Sequence, residues 1–205
     1  MLKIVTAPQS ILAQSAKPVA VRYLAKQISK IDKTVLELVG EMEKTLLAAK
    51  DPEGVGLAAP QVGRSLQIFI VKPTPKTKIQ VFINPVIAQK KPELNAEQRG
   101  SKIQRSSASG SAKFRDSSKK LEGCLSLPNI WGEVIRDPKI TISYLDEKEN
   151  SHIRTFKGLF ATIVQHEIDH LNGILFPKRV LEQKGILYKS RKDEKGEDVF
   201  EEIEI

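Results

Sequence analysis

Several residue types are scarce in this sequence, and each shortage excludes a class of protein. The 205 residues include a single cysteine, Cys124, so no disulfide within the chain can hold the fold together. The few aromatic residues do not interleave with basic ones in an RNA-binding motif. No apolar run is long enough to cross a bilayer. We therefore expect a fold held by an ordinary hydrophobic core, for which this length and 40% apolar content suffice.

The first residues also lack the features of a targeting signal. Residues 1–19 contain neither the unbroken apolar stretch of a signal peptide nor the Arg-rich pattern of an organelle presequence. We expect a cytoplasmic protein, unprocessed apart from its first residue, with no DNA or membrane partner. The net charge of +8 favours acidic partners, although a solvated charged surface is the commoner explanation.

Two segments have helical periodicity. Residues 32–49 are predicted to form a helix with Asp32 as N-cap, ended by Asp51-Pro52, and with one apolar stripe of Val35, Leu38, Val39, Met42 and Leu46. A second helix is predicted over 159–171, followed by Gly173 as its C′ residue. Between them, the segment 54–63 has many glycines and small side chains, so we do not expect it to form a regular helix or strand.

Alternating apolar residues predict strands at 66–72, 79–85, 139–145 and 152–158, with a further short strand at 185–189. The strands at 139–145 and 152–158 bracket a turn and form a hairpin. Strands precede the second helix without a repeating βαβ order, so the class is α+β. We expect a single domain over 1–205.

Residues 88–120 differ from the rest, because they are rich in Ser, Lys and Arg and poor in large apolar groups. Such a segment cannot bury enough surface to offset its ordering entropy, which predicts a long polar, flexible insertion. A regulatory or RNA-contacting role stays open beside the commoner reading of a solvated loop.

The strongest chemical signal is the HExxH motif at 166–170. On a helix, His166 and His170 project from one face and can bind one metal ion, with Glu167 beside them. The alternative is that both histidines lie near the helix surface with their hydrogen bonds satisfied and bind no metal. His152, the third histidine of the chain, is read as an ordinary strand residue.

A catalytic metal site usually needs a third protein ligand. Downstream, Phe176 stands where the metzincin pattern has its third histidine, and Glu182 is a poor candidate in a short polar tail. Upstream, Cys124 lies between a glycine and a proline, which suggests an irregular, exposed backbone, and its thiolate suits a borderline metal. Cys124, His166 and His170 with Glu167 would make a complete site.

Three segments, in this order, resemble the signature motifs of the peptide deformylase family. They are GVGLAAPQ at 54–61, EGCLSLP at 122–128 and QHEIDH at 165–170. The similarity spans most of 1–87 and 121–182, and it implies small antiparallel or mixed sheets packed around a central metal-binding helix. It also implies a metal-dependent hydrolase that removes the formyl group from the N-terminal formyl-methionine of new proteins.

The resemblance implies one divalent ion held by Cys124, His166 and His170, namely Fe²⁺ in the cell, with Zn²⁺, Ni²⁺ or Co²⁺ able to replace it. By the same resemblance, Glu167 takes a proton from the attacking water and passes it to the leaving amine. The Gln61 side-chain amide and the Leu125 backbone N–H would donate to the formyl oxygen.

The implied partner is an N-formyl-methionyl nascent chain that binds as an extended strand along Val55 and Gly56. Leu159 and Ile163 are candidate walls of a methionine pocket, although both can also be core residues. We expect a monomer, and transient ribosome contact stays open, because the acidic end of the chain differs from the basic ribosome-docking helix of some relatives.

Four further points stay open at this level. Glu122 is expected to pair with Arg136, as a comparable pair does in relatives. Trp131 either shapes the substrate groove or is a core or surface aromatic. Another metallohydrolase with the same ligands, such as a peptidase, is one rival function. A non-enzymatic paralogue that binds nascent chains is the other, although retention of Glu167 and Gln61 argues against it.

Overall fold

A computed structural model of the chain describes the following residues: 1–24, 27–50, 53–88, 119–194 and 196–204. The helices are α1 (Lys33–Ala48), α2 (Gly158–Leu171) and α3 (Phe176–Glu182), with 3₁₀ turns at Ser10–Ala13 and Ala59–Val62. The strands are β1 (Arg22–Leu24), β2 (Gln27–Lys30), β3 (Gly56–Ala58), β4 (Ile68–Val71), β5 (Gln80–Ile87), β6 (Lys119–Cys124), β7 (Leu127–Ile135), β8 (Lys139–Leu145), β9 (Ser151–Lys157), β10 (Leu187–Lys192) and β11 (Asp198–Glu202).

The strands form three antiparallel sheets, and the predicted α+β class is confirmed. A five-stranded sheet has the order β3-β4-β5-β8-β9, and a four-stranded sheet has the order β11-β10-β7-β6. Strands β1 and β2 pair by themselves. Among the described residues, no helix is long and apolar enough to span a membrane.

Helix α1 forms where the periodicity predicted it. The Asp32 side chain caps its first turn by accepting a hydrogen bond of 2.8 Å from the Thr34 N–H. The predicted stripe packs against the five-stranded sheet and the neighbouring segments; Val35, Val39, Met42 and Leu46 are buried, and Leu38 lies at the edge of the same cluster. The helix ends at Ala48, and the predicted terminator at 51–52 lies outside the described residues.

Helix α2 lies against the five-stranded sheet and places the HExxH residues where that sheet meets the four-stranded one. It ends as predicted, with Gly173 at a φ of 69°. A side chain at Gly173 would also meet the backbone of Ala13 at 2.6 Å, so two constraints favour glycine there. Beneath the helix, Phe82 is fully buried and stacks on Phe69 at a centroid distance of 4.5 Å.

Three local predictions were wrong. The Gly-rich stretch at 54–63 does contain regular structure, because Gly56–Ala58 forms β3 beside β4. Cys124 is not on irregular, exposed backbone, since it ends β6 and is 4% exposed. The tail beyond α2 is more than a short polar segment, because it forms α3 and the hairpin of β10 and β11; the strand predicted at 185–189 is confirmed in part, since β10 begins at Leu187.

The predicted insertion at 88–120 falls mostly outside the described residues. Its last two residues belong to β6, and the Ala88 N–H donates to the Thr141 carbonyl at 2.9 Å, so the first residue and the last two of the predicted insertion belong to the folded part of the chain. The single-domain prediction is not tested and stays a prediction. The predicted strands at 139–145 and 152–158 are confirmed as β8 and β9, with β9 shifted by one residue.

Candidate active site

Three potential metal ligands converge at the junction of the two larger sheets. The ligand atoms of Cys124, His166 and His170 all lie within 4.8 Å of one another. The Cys124 Sγ lies 3.2 Å from the His170 Nε2. Cys124 comes from the end of β6, whereas the two histidines lie one turn apart on α2, with ring centroids 5.0 Å apart. The tertiary fold therefore brings together residues 42 or more positions apart in sequence.

This set of donors fits a divalent transition metal. One thiolate and two imidazoles, with a fourth position left for water or substrate, match the composition of catalytic zinc sites and suit related borderline ions. Glu182 does not join the set, because it is exposed and pairs with Arg179 at 3.0 Å. The cluster is deeply buried, and the neighbouring Glu167 Oε2 has no hydrogen-bond partner among the described residues, which also fits a site completed by a cation.

Glu122 orients the first histidine. Its Oε2 lies 3.1 Å from the His166 Nδ1, which leaves the Nε2 of that ring to face the cluster. The Arg136 guanidinium donates two hydrogen bonds of 2.9 Å to the same carboxylate. The expected Glu122–Arg136 pair is thus present, and it is buried, with 6% of each side chain exposed. Burial raises the pKa of Glu122, but hydrogen bonds from Arg136 and His166 outweigh burial and lower it to about 2.

Arg136 continues this network to the other end of the motif. Its Nη1 donates to Asp169 Oδ2 at 2.5 Å, and the Arg179 Nη2 donates to Asp169 Oδ1 at 2.7 Å. Sequence reasoning missed Asp169 and Arg179 as part of the site. The signal available in the sequence was the acidic residue Asp169 inside the HEIDH motif. In the structure this residue lies on the side of α2 that contacts Arg136 and Arg179.

Glu167 is deeply buried beside β3. It is 3% exposed, and its Oε2 has no hydrogen-bond partner among the described residues. A Cβ placed on Gly56 would lie 2.2 Å from the Glu167 Oε1, so only glycine allows this approach. Burial raises the pKa of Glu167 to about 7, despite the opposing charge of His166. A carboxylate with this pKa can accept and release a proton near neutral pH.

The two histidines differ electrostatically. Burial lowers the pKa of His170 well below its ordinary value, and the charges of His166 and Arg136 lower it further. Burial also lowers the pKa of His166, but hydrogen bonds to Cys124 and Glu122 outweigh that effect and raise it well above the ordinary value. His170 is therefore held as a neutral imidazole, the form that binds metals.

Gln61 points its amide at the cluster. Its Oε1 accepts a hydrogen bond of 2.8 Å from the Ala58 N–H, which orients the amide. The Nε2 then lies 3.4 Å from the Cys124 Sγ and 3.3 Å from the Ser126 Oγ. Leu125 lies in the adjacent turn between β6 and β7 and lines a cavity that opens onto the cluster. Both predicted donor residues are thus beside the potential metal ligands.

A cavity of about 200 Å³ opens onto the cluster. Its walls include every substrate-contacting residue predicted from sequence, namely Val55, Gly56, Leu159 and Ile163. Ile163 is buried, whereas Leu159 is 56% exposed and lies at the mouth. Trp131 forms another wall. A larger cavity of about 1070 Å³ lies elsewhere, lined by Arg136, Asp169 and Arg179 but by none of the three potential metal ligands.

Comparison with known proteins places the chain in a family. The family model of polypeptide deformylase matches residues 1–185. The peptide deformylase of Chlorobium limicola is 37% identical over 164 residues, covering 78% of this chain and 74% of the relative. The crystal structure of the Thermotoga maritima peptide deformylase superposes with a TM-score of 0.63 at 28% identity, covering 87% of this chain and 97% of the other. An Acinetobacter baumannii peptide deformylase with Met-Ala-Ser bound gives a TM-score of 0.63 at 30% identity, with 87% and 98% covered.

Proposed function

Because the chain belongs to the peptide deformylase family and is a hydrolase of formylated peptides, we propose that Cys124, His166 and His170 hold the metal ion of this reaction. The observation that carries the proposal is the convergence of their ligand atoms within 4.8 Å, next to the buried carboxylate of Glu167. A divalent ion held by these three residues would supply Lewis-acid chemistry, lowering the pKa of a bound water and polarising the formyl carbonyl. We propose Fe²⁺ as the cellular ion; the donor set also accepts Zn²⁺, Ni²⁺ or Co²⁺.

Glu167 is the proposed general base and acid. It takes a proton from the attacking water and later gives it to the amine that leaves with the peptide, while the formyl group departs as formate. The pKa of about 7 and the absence of a competing hydrogen bond to its Oε2, among the described residues, support this role. The close approach of Gly56 holds the carboxylate in one place.

Gln61 and Leu125 are the proposed donors to the formyl oxygen, on which negative charge develops. The Ala58 N–H orients the Gln61 amide so that its N–H groups face the Cys124 side of the cluster. Donors fixed in advance need no reorganisation during the reaction, which is why they stabilise the transition state.

The proposed substrate is an extended N-formyl-methionyl chain beside β3. Among the described residues that strand lies at the edge of its sheet, so its outer edge can pair with a peptide backbone at Gly56 and at Val55, which precedes the strand. Ile163 and Leu159 line the cavity one and two helical turns before His166 and form the proposed methionine pocket. The relative that binds Met-Ala-Ser supports a peptide of this kind.

We also propose that the chain acts as a cytoplasmic monomer that meets its substrates at the ribosome. The chemistry of the substrate supports this, because formylated chains emerge there during synthesis. Sedimentation of the purified protein, with and without ribosomes, tests the monomeric state and the ribosome contact.

Formate release from formyl-Met-Ala-Ser tests the central proposal, using anaerobically purified, Fe²⁺-loaded protein and a Cys124→Ala control. We expect release by the unmodified protein alone. Hydrolysis of unformylated Met-Ala-Ser at a similar rate would instead identify a peptidase. A folded, metal-loaded protein that binds formyl-Met-Ala-Ser without releasing formate would support the binding-protein alternative.

A further inference from the structure

The hairpin of β10 and β11 lies beyond residue 185, where the match to the family model ends. It nevertheless extends the sheet that carries Cys124. Strand β10 pairs with β7, with Tyr188 opposite Trp131 and Leu187 opposite Gly132. This segment therefore reaches Trp131, which forms part of the wall of the proposed substrate cavity.

Trp131 is held from three directions. Its Nε1 donates to the Ser190 Oγ at 3.1 Å, and Ser190 is only 7% exposed. The Phe200 ring of β11 meets the indole edge-on, with centroids 5.8 Å apart at 83°. On the third side the indole lies against Gly123, where an added Cβ would be 2.9 Å from its ring atoms. Two of the three supports come from the hairpin.

The indole lines two cavities next to the potential metal ligand Cys124. One is the cavity of about 200 Å³ that contains the proposed methionine pocket, and the other has a volume of about 140 Å³ and lies against the hairpin. Both are lined by Gly123, Cys124 and Trp131. Because Trp131 supplies an apolar face here, a substrate side chain that enters past the methionine can pack on it.

In an extended peptide, side chains alternate, so the first and third residues lie on the same face. With the methionine against Ile163 and Leu159, the third side chain lies on the cavity side of the bound peptide. We propose that Trp131 is a specificity-determining residue that packs against this third side chain and favours an aromatic one. Ser190 and Phe200 are positioning residues that hold the indole in place. This inference rests on the proposed function.

Kinetics with two peptides test the proposal. We expect the unmodified protein to prefer formyl-Met-Ala-Phe over formyl-Met-Ala-Ser by about 3- to 10-fold in kcat/KM, the usual worth of an aromatic pair. Trp131→Ala, Ser190→Ala and Phe200→Ala should each remove most of this preference, chiefly by raising KM for formyl-Met-Ala-Phe. Ser190→Thr, which keeps the hydroxyl, should restore it. Glu202→Gln on the same strand as Phe200 is the control and should keep the full preference.

Fluorescence gives a second readout, because Trp131 is the only tryptophan of the chain. Met-Ala-Phe should change the indole emission at a lower concentration than Met-Ala-Ser. Emission should shift to longer wavelength in Ser190→Ala and Phe200→Ala if the hairpin holds the ring away from water.

Each contrary result would overturn a specific part of the proposal. Equal kcat/KM and equal affinity for the two peptides would overturn the specificity role while leaving the proposed function intact. Full preference in Ser190→Ala and Phe200→Ala, with loss in Trp131→Ala, would overturn the role of the hairpin. Failure of the unmodified protein to release formate from either peptide would reject the proposed function itself, and equal peptide affinity by fluorescence would then overturn this inference separately.

Discussion

Gly56 and Glu167 approach so closely that residue 56 cannot carry a side chain without moving the carboxylate. The contact joins the edge strand β3 to helix α2 at the point where water and substrate would meet. A methyl group there would be 2.2 Å from the Glu167 Oε1, well inside van der Waals contact. Glycine is therefore needed at this position to make room for the Glu167 carboxylate, and not to form a turn.

Gly56→Ala is expected to lower kcat by about 10²-fold, the scale of losses from small misplacements at reacting centres. The amount of bound metal should be unchanged, because the substitution does not alter Cys124 or the two histidines. The measurement is formate release together with metal analysis. Gly40→Ala is the matched control, since nothing lies within 4 Å of a Cβ at that position of α1. Full activity in Gly56→Ala would contradict the role of this contact.

Glu167→Gln is expected to lower kcat by about 10²- to 10⁴-fold, because the amide cannot take a proton from water. Affinity for Met-Ala-Ser should change little, since the amide keeps the size of the carboxylate. Single-turnover formate release with metal-loaded protein measures the effect. Retention of the full rate would rule out Glu167 as the base.

At the scale of secondary-structure elements, a network of ion pairs, buried except for Arg179, joins four of them. Glu122 lies on β6, Arg136 directly follows β7, Asp169 lies on α2 and Arg179 lies on α3. Their ion pairs have N–O distances between 2.5 and 2.9 Å. Since Glu122 also contacts His166, the packing of these elements and the orientation of a potential metal ligand depend on the same side chains.

Arg136→Met is expected to destabilise the protein by about 3–5 kcal/mol, because it leaves the Glu122 and Asp169 carboxylates buried without their shared partner. Denaturant unfolding measures the change. Arg191→Met is the comparison, since its pair with Glu201 is more than half exposed, and exposed pairs contribute about 0–1 kcal/mol. Similar losses in both variants would mean that burial of the network is energetically unimportant.

At the scale of the whole molecule, the potential ligands connect the two larger sheets. Cys124 belongs to the four-stranded sheet, whereas both histidines lie on the helix packed against the five-stranded one. An ion bound by all three would therefore crosslink two parts of the fold, and the unfolded chain has no such preformed site.

Removal of the metal by a chelator is expected to lower the thermal midpoint. An ion at 100 times its dissociation constant stabilises a folded protein by about 2.7 kcal/mol. The check is thermal unfolding before and after chelation, followed by re-addition of Zn²⁺ or Fe²⁺. Cys124→Ser should lose most of this response. A chelator-independent midpoint in the unmodified protein would argue against a metal held between the sheets.

Local features of the fold were predictable from the sequence. Helix α1, helix α2 and the β8–β9 hairpin were predicted within a residue or so, because periodicity and caps act over a few neighbouring positions. The short strand β3 was missed because three residues, two of them Gly56 and Ala58, are too few and too weak in strand propensity to form a recognisable pattern. It forms because β4 supplies a partner and burial on both sides.

The sequence by itself determined which residues could carry the chemistry. Three histidines and one cysteine leave few combinations, and the 166–170 spacing puts two imidazoles and Glu167 on one helix. Only the tertiary structure decided that Cys124 lies 3.2 Å from His170, and that Asp169 and Arg179 support the site from behind. The physical reason is that helix geometry acts over neighbouring residues, whereas strand pairing and buried ion pairs join positions far apart in sequence, whose proximity no local pattern encodes.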